Sequence, residues 1–108
     1  MSKVDISKAT PRPWIVEGTL VYALEQDGWR GGKPAMRNRF SASMARGPAT
    51  PDAELEANAE LVVRAVNSHD AMLASLKEFL ARDPGLWTPA IERARAAIRI
   101  AEGKGDVP

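Results

Sequence analysis

The sequence predicts an α+β fold: a short antiparallel β-meander of about three strands, then a long amphipathic helix and a second, shorter one. Three observations carry that expectation. Apolar and polar residues alternate through much of the stretch from residue 14 to residue 45. Two tight-turn dipeptides, Asp27-Gly28 and Gly31-Gly32, interrupt it. The second half then opens on Thr50-Pro51-Asp52 and holds a seven-residue apolar register as far as Leu80.

Size and composition narrow the possibilities first. A chain of 108 residues can bury its own core without disulfides or metal. Its 44% apolar and 27% charged residues argue against wholesale disorder. Zero cysteines exclude a disulfide framework, thiolate zinc sites and a cysteine nucleophile, and one histidine excludes a multi-histidine metal site. No metal or cofactor is expected. No apolar stretch approaches a membrane span, and Met1-Ser2-Lys3-Val4-Asp5 lacks the apolar core of a secretory signal, so a cytoplasmic protein is expected. The net charge of +1 is unevenly spread. Residues 1–50 hold eight Lys/Arg against four Asp/Glu, whereas residues 51–108 hold seven against ten. Such asymmetry can drive self-association.

Residues 1–13 read as an extended tail, because Pro11 and Pro13 fix two φ angles and remove two donors. A single α+β domain over residues 14–103 follows, with 104–108 as a frayed end. Trp14-Ile15-Val16 is β-prone, Gly18 permits a turn, and Thr19 to Glu25 alternates as a second strand. Either turn dipeptide closes the next hairpin, with Trp29-Arg30 on a bulge or a longer loop. In the third strand, Ala35 to Ala45, Met36, Asn38, Phe40, Ala42 and Met44 point one way and Arg37, Arg39, Ser41 and Ser43 the other.

One long helix is expected from about residue 51 to 82. Thr50 caps it, Pro51 takes its first position, and Asp52, Glu54 and Glu56 complement its positive end. Leu55, Val62, His69 and Leu76 form one apolar row, and Ala59, Val66, Leu73 and Leu80 the next. Asn67-Ser68-His69-Asp70 has poor helix propensity, so a break there is the alternative. Asp83-Pro84-Gly85 ends the helix, and Thr88-Pro89 starts a second one running to about Glu102. Its buried stripe is Ile91, Ala94, Ile98 and Ala101, with Gly103 and Gly105 as the stop. Trp14 and Trp87 are expected to anchor the core.

Few residues suggest chemistry. Arg37 and Arg39, two apart on a strand, put two guanidinium groups on one face for a phosphate or carboxylate, with Trp29 or Tyr22 to stack on a base. The plain alternative is a solvated strand face. His69 stands where a leucine would be expected, as a bonded core or interface histidine or as a ligand contact. Asn67 and Asp70 do not face it on a helix, so no catalytic His/Asp pair is expected. Arg93, Arg95 and Arg99 read as a wet helical face. The apolar rows exceed what one short sheet needs. Leu55, Val62, Val66, His69 and Leu73 are therefore the candidate oligomer interface of a homo-oligomer. With no catalytic motif, the expected activity is binding.

Residues 56–70, EANAELVVRAVNSHD, resemble a segment of small accessory proteins of tailed phages and prophages, in which A-N-A-x-(L/F)-I-x-x-A-(V)-N precedes a leucine-rich helix. The Ead-like family of lambdoid phages has a related run. Thr10-Pro11-Arg12-Pro13-Trp14 also resembles the opening of many such proteins. The likeness implies a non-enzymatic phage accessory protein in the cytoplasm of an infected bacterium, with an anti-defence or host-takeover role. The strand-first, two-helix plan is similar to the Thoeris anti-defence sponge proteins, which oligomerise and hold cyclic ADP-ribose signals without cleaving them. No motif of that family's binding site lies in this chain, and the link is analogy. Two versions follow: an oligomer enclosing an anionic nucleotide, or a surface docked on a host defence protein. An oligomeric structural module and a nucleic-acid-binding protein are the alternatives, the second disfavoured by the low net charge and the acidic first helix.

Overall fold

The computed structural model describes residues 4–85 and 87–104. A 3-10 turn at Ile6–Lys8 lies within the expected extended tail. Strands β1 (Ile15–Glu17), β2 (Leu20–Arg30) and β3 (Lys33–Ser43) follow, then helices α1 (Asp52–Ala81) and α2 (Pro89–Ala101). The sheet is an antiparallel meander in the order β1-β2-β3. This is the α+β plan the sequence predicts. The chain forms two compact units, Ala9–Ser68 and a second made of residues 4–8 with 69–104.

Glycine placement sets both hairpins of the first unit. Gly18, at φ +59, is the only left-handed residue of the two-residue β1–β2 loop, as a type II′ turn requires. Gly31 and Gly32, at φ +59 and +77, join Arg30 to Lys33 as a type I′ turn. Gly31-Gly32 is thus the turn. Asp27-Gly28 instead lies in an irregularity of β2, where the register shifts between Gln26 and Trp29 and Gly28 takes φ +74.

A second register shift reorganises the sheet. Ala23 pairs with Phe40, but Leu24 pairs with Asn38, so Arg39 is an extra residue in β3. One inserted residue reverses the alternation beyond it. Arg37, the partner of Glu25, therefore joins the face of Val21, Ala23 and Phe40. The expected separation of Arg37 and Arg39 from Phe40 fails for that reason.

The core of this unit lies between that face and α1. Val21, Ala59 and Val63 are buried together, with Trp14, Val16, Phe40 and Met44 packed around them. Trp14 meets Phe40 edge-on with ring centroids 4.8 Å apart, a favourable quadrupole geometry. Along the part of α1 that belongs to this unit the buried residues are Leu55, Ala59 and Val63, each four after the last. That spacing suits a straight helix on a sheet, so the two heptad rows are split: Val62 and Val66 are half-buried, whereas Val63, in neither row, is buried.

Helix α1 runs unbroken through Asn67-Ser68-His69-Asp70. The Asn67 amide explains what low propensity there accomplishes. Its Oδ1 accepts from the Trp14 N–H at 2.7 Å, and its Nδ2 donates to the Trp14 carbonyl at 2.9 Å. One side chain thus satisfies both main-chain groups of the residue before β1, as a neighbouring strand would. The Trp14 indole Nε1 donates to the Thr10 carbonyl at 3.0 Å, tying the incoming segment. At the α1 start, Pro51 supplies the carbonyl that accepts from Leu55 N. Thr50 offers its carbonyl to Arg46, whose guanidinium also bonds Asp52.

In the second unit, Thr88 caps α2 as expected, its Oγ1 accepting from Ile91 N at 3.1 Å, with Pro89 first in the helix. Gly103 at φ +74 ends it. Its N–H donates to the Ile100 carbonyl and that of Lys104 to the Arg99 carbonyl, a Schellman arrangement. Gly105 and the rest of the expected frayed end lie outside the described residues. Leu80 is buried, and the α2 stripe of Ile91, Ala94, Ile98 and Ala101 is half-buried. Trp87 is no core anchor. It is 66% exposed and its Nε1 donates to Glu92 Oε2 at 2.7 Å. Lys77 bonds Glu102, which Lys104 also approaches at 3.6 Å.

Two predictions follow from these contacts. Asn67→Ala gains about 0.5 kcal/mol of helix propensity but loses two hydrogen bonds of about 1 kcal/mol each. A net destabilisation of about 1–2 kcal/mol is expected in urea unfolding. The Lys77 hydrogen bond holds the Glu102 carboxyl below the usual glutamate range, partly offset by desolvation and reinforced by Lys104. A depressed folded-state pKa stabilises above the unfolded value, and that contribution fades as pH falls through the folded one. An NMR titration should find Glu102 titrating low in the parent and moving back up in Lys77→Met.

Candidate docking ribbon

Beyond Ala23 and Phe40 the strands β2 and β3 continue as a two-stranded ribbon, since β1 pairs only with Leu20, Val21 and Tyr22. The register gives this ribbon two chemically different faces. On the face shared with Val21, Arg37 Nε donates to Glu25 Oε2 at 2.7 Å and its Nη1 lies 3.5 Å from Asp27 Oδ1. Arg39 Nε lies 3.7 Å from Glu25 Oε1. The hydrogen bond that Arg37 donates to Glu25, and then the charges of Asp27 and Glu25, hold the Arg37 proton more firmly than usual. Both arginines share a face, as the sequence suggests, and that face carries carboxylates of its own.

The opposite face carries large apolar side chains among polar ones, with Glu17, Gln26, Asn38, Ser41 and Ser43 between them. Ile15 pairs with Tyr22, and Glu17 with Leu20, so these side chains lie together there. Leu24, Met36, Pro34 and Trp29 extend the same face along the ribbon, through the pairs Leu24 with Asn38, Gln26 with Met36 and Trp29 with Pro34. Trp29 is 68% and Met36 54% exposed, and Leu24 is also exposed. Tyr22 donates its hydroxyl to Glu17 Oε1 at 2.7 Å, which keeps the phenol protonated above its ordinary pKa. Arg30 and Lys33 flank the tip, with no ion pair among the described residues.

The expected ligand set is therefore divided. Arg37 and Arg39 lie on one face of the sheet, and Tyr22 and Trp29 on the other. His69 belongs to the second unit. It is half-buried, and its Nδ1 lies 2.9 Å from Asp70 Oδ1. These helix neighbours do meet, contrary to expectation, because short side chains one residue apart can lean together. Of the expected interface residues, Leu55 is covered within its own chain at 4% exposure, while Val62, Val66, His69 and Leu73 are half-buried. Leu24 and Met36 are the ribbon residues sequence reasoning overlooked. Leu24 shares the face of Tyr22 by its spacing of two on the strand, whereas Met36 joins that face only through the register.

Among the described residues, no group of His, Asp and Glu is placed to hold a metal ion, and no helix is long and apolar enough to cross a membrane. The chain matches no family model, no curated protein and no solved structure in the comparisons made.

Removing the carboxylate that two arginines share should expose their charge. Glu25→Ala is expected to elute from an immobilised polyanion at clearly higher salt than the parent. Glu56→Ala, an equal change in net charge on α1, should shift elution less.

Proposed function

We propose that this chain is a non-enzymatic accessory protein of a tailed phage or prophage. It acts by occupancy, docking the outer face of its β2–β3 ribbon on a host defence protein. One observation carries the docking: Leu24, Trp29 and Met36 stand exposed on a single ribbon face. Tryptophan and methionine are among the residues that protein interfaces enrich, with apolar anchors central and polar groups at the rim. The phage context is supported by the likeness of residues 56–70 to phage accessory proteins.

A nucleotide sponge fits the geometry less well. Glu25 and Asp27 already engage Arg37 and Arg39, and an anionic ligand would have to displace or tolerate those carboxylates. The aromatic rings offered for stacking lie on the other face.

The deciding experiment is phage plating on bacteria carrying individual defence systems, with the chain expressed in trans. The parent should restore plating against one of them. The double variant Trp29→Ser/Met36→Ser should lose that rescue with its circular dichroism unchanged. A thermal-shift screen with cyclic nucleotides tests the competing version. Ligand at a hundred times Kd adds about 2.7 kcal/mol of stability, several degrees in a domain of this size. Such a shift, lost in Arg37→Ala/Arg39→Ala, alongside full rescue by the ribbon variant, would transfer the function to the arginine face.

A further inference from the structure

A second apolar seam runs along α1, on residues that take no part in its buried stripe. Leu61, Ala65, Ser68, Met72, Ser75 and Phe79 are spaced alternately by four and three, so they share one face of this unbroken helix. None of them is charged. Leu61, Met72 and Phe79 are 67%, 66% and 59% exposed, which is unusual for three large apolar side chains on one helix face. The spacing is that of a coiled-coil seam, with Val62, His69 and Leu76 along one flank and Arg64, Ala71 and Glu78 along the other.

We propose that this seam is covered by a second copy of the chain, with the two α1 helices packed antiparallel about a two-fold axis near Asp70. The argument is self-complementarity, which an isologous interface demands: if one residue meets another across the axis, the reverse contact must also work. Leu61 and Phe79 are equally far from Asp70 along the helix, as are Ala65 and Ser75, and Ser68 and Met72. An antiparallel pair therefore sets Leu61 against Phe79 of the second copy, Ala65 against Ser75, and Ser68 against Met72. Leu61 meets Phe79 at both ends, Ala65 meets Ser75 inside them, and the large Met72 packs over the small Ser68 beside the axis.

The flanking charges choose the orientation. Arg64 and Glu78 are the only ionised residues on the flank that carries Ala71, and they lie almost symmetrically about the axis. Antiparallel packing brings Glu78 of the second copy, twice over, to an Arg64 that already bonds Glu60 of its own helix at 3.1 Å, at positions that set coiled-coil partner choice. A parallel pair sets Arg64 beside His69 of the other copy, gains no such contact, and stacks Ser68 on Ser68 and Ser75 on Ser75. This assembly is separate from the ribbon docking proposed above and stands or falls independently of it.

The absence of cysteine makes the geometry directly testable with the full chain. Sedimentation equilibrium at tens of micromolar should give a dimer mass for the parent and a monomer mass for Met72→Glu, whose site is exposed. Arg64→Glu and Glu78→Arg should each weaken the dimer several-fold, and the two together should restore it. In antiparallel packing the two copies of Ala71 face each other beside the axis, whereas those of Ser75 lie well apart. On oxidation Ala71→Cys should form a covalent dimer and Ser75→Cys should not. A monomeric parent at several hundred micromolar overturns the proposal. So does cross-linking through Ser75→Cys instead of Ala71→Cys, or a charge swap that fails to restore association.

Discussion

One extra residue in β3 decides what the rest of the first unit presents to its surroundings. Without Arg39 out of register, strict alternation would carry Arg37 to the face of Tyr22 and Leu24, breaking the outer apolar face with a cation. With it, the face that seats α1 is apolar up to Ala23 and Phe40 and becomes ionic at Glu25 and Arg37. The change occurs where the buried residues of the sheet end. The bulge thus lets one strand serve a core along half its length and a charged surface along the rest, while Leu24, Met36 and Trp29 stay on the opposite face.

Asn67 imposes the complementary constraint at the other edge. A three-residue strand holds few ladder bonds, and β1 gains two further ones through the side-chain amide of α1. The same contact fixes Trp14 next to Phe40, so the start of the sheet, its aromatic lid and α1 are fastened at one point. Poor helix propensity at Asn67 is the local cost of a long-range bond between residues far apart in sequence. A helical pattern read locally sees only the cost, which is why a break there looked plausible from the sequence.

Much of the architecture was legible because it is written in local chemistry. Glycine pairs, the Thr88-Pro89 cap and the apolar period of α1 each act through backbone geometry within a few residues. The face of Arg37 was not legible. It depends on a bulge that no glycine marks, since Arg39 supplies the extra residue itself, whereas the irregularity at Gly28 is announced by its left-handed backbone. Trp87 shows a different limit. A tryptophan beside a cap has the composition of a core anchor, but a carboxylate one helical turn away gives its indole N–H a partner at the surface. Composition cannot separate those outcomes, because both satisfy the same donor.

The apolar excess of α1 is best understood as two faces with different tasks. Residues two apart on a helix point about 200° away from each other. Leu61 and Ala65 therefore lie almost opposite Ala59 and Val63, which the sheet covers. A partner helix on that side would bury Leu61 without competing for the core. The sheet takes its stripe every fourth residue, as a straight helix permits, and the outer seam alternates fours and threes, as a second helix prefers. The seven-residue rows visible in the sequence share Leu55 and Ala59 with the buried stripe and no residue with the outer seam. The stripe is spent within the chain, whereas the seam leaves Leu61, Met72 and Phe79 exposed.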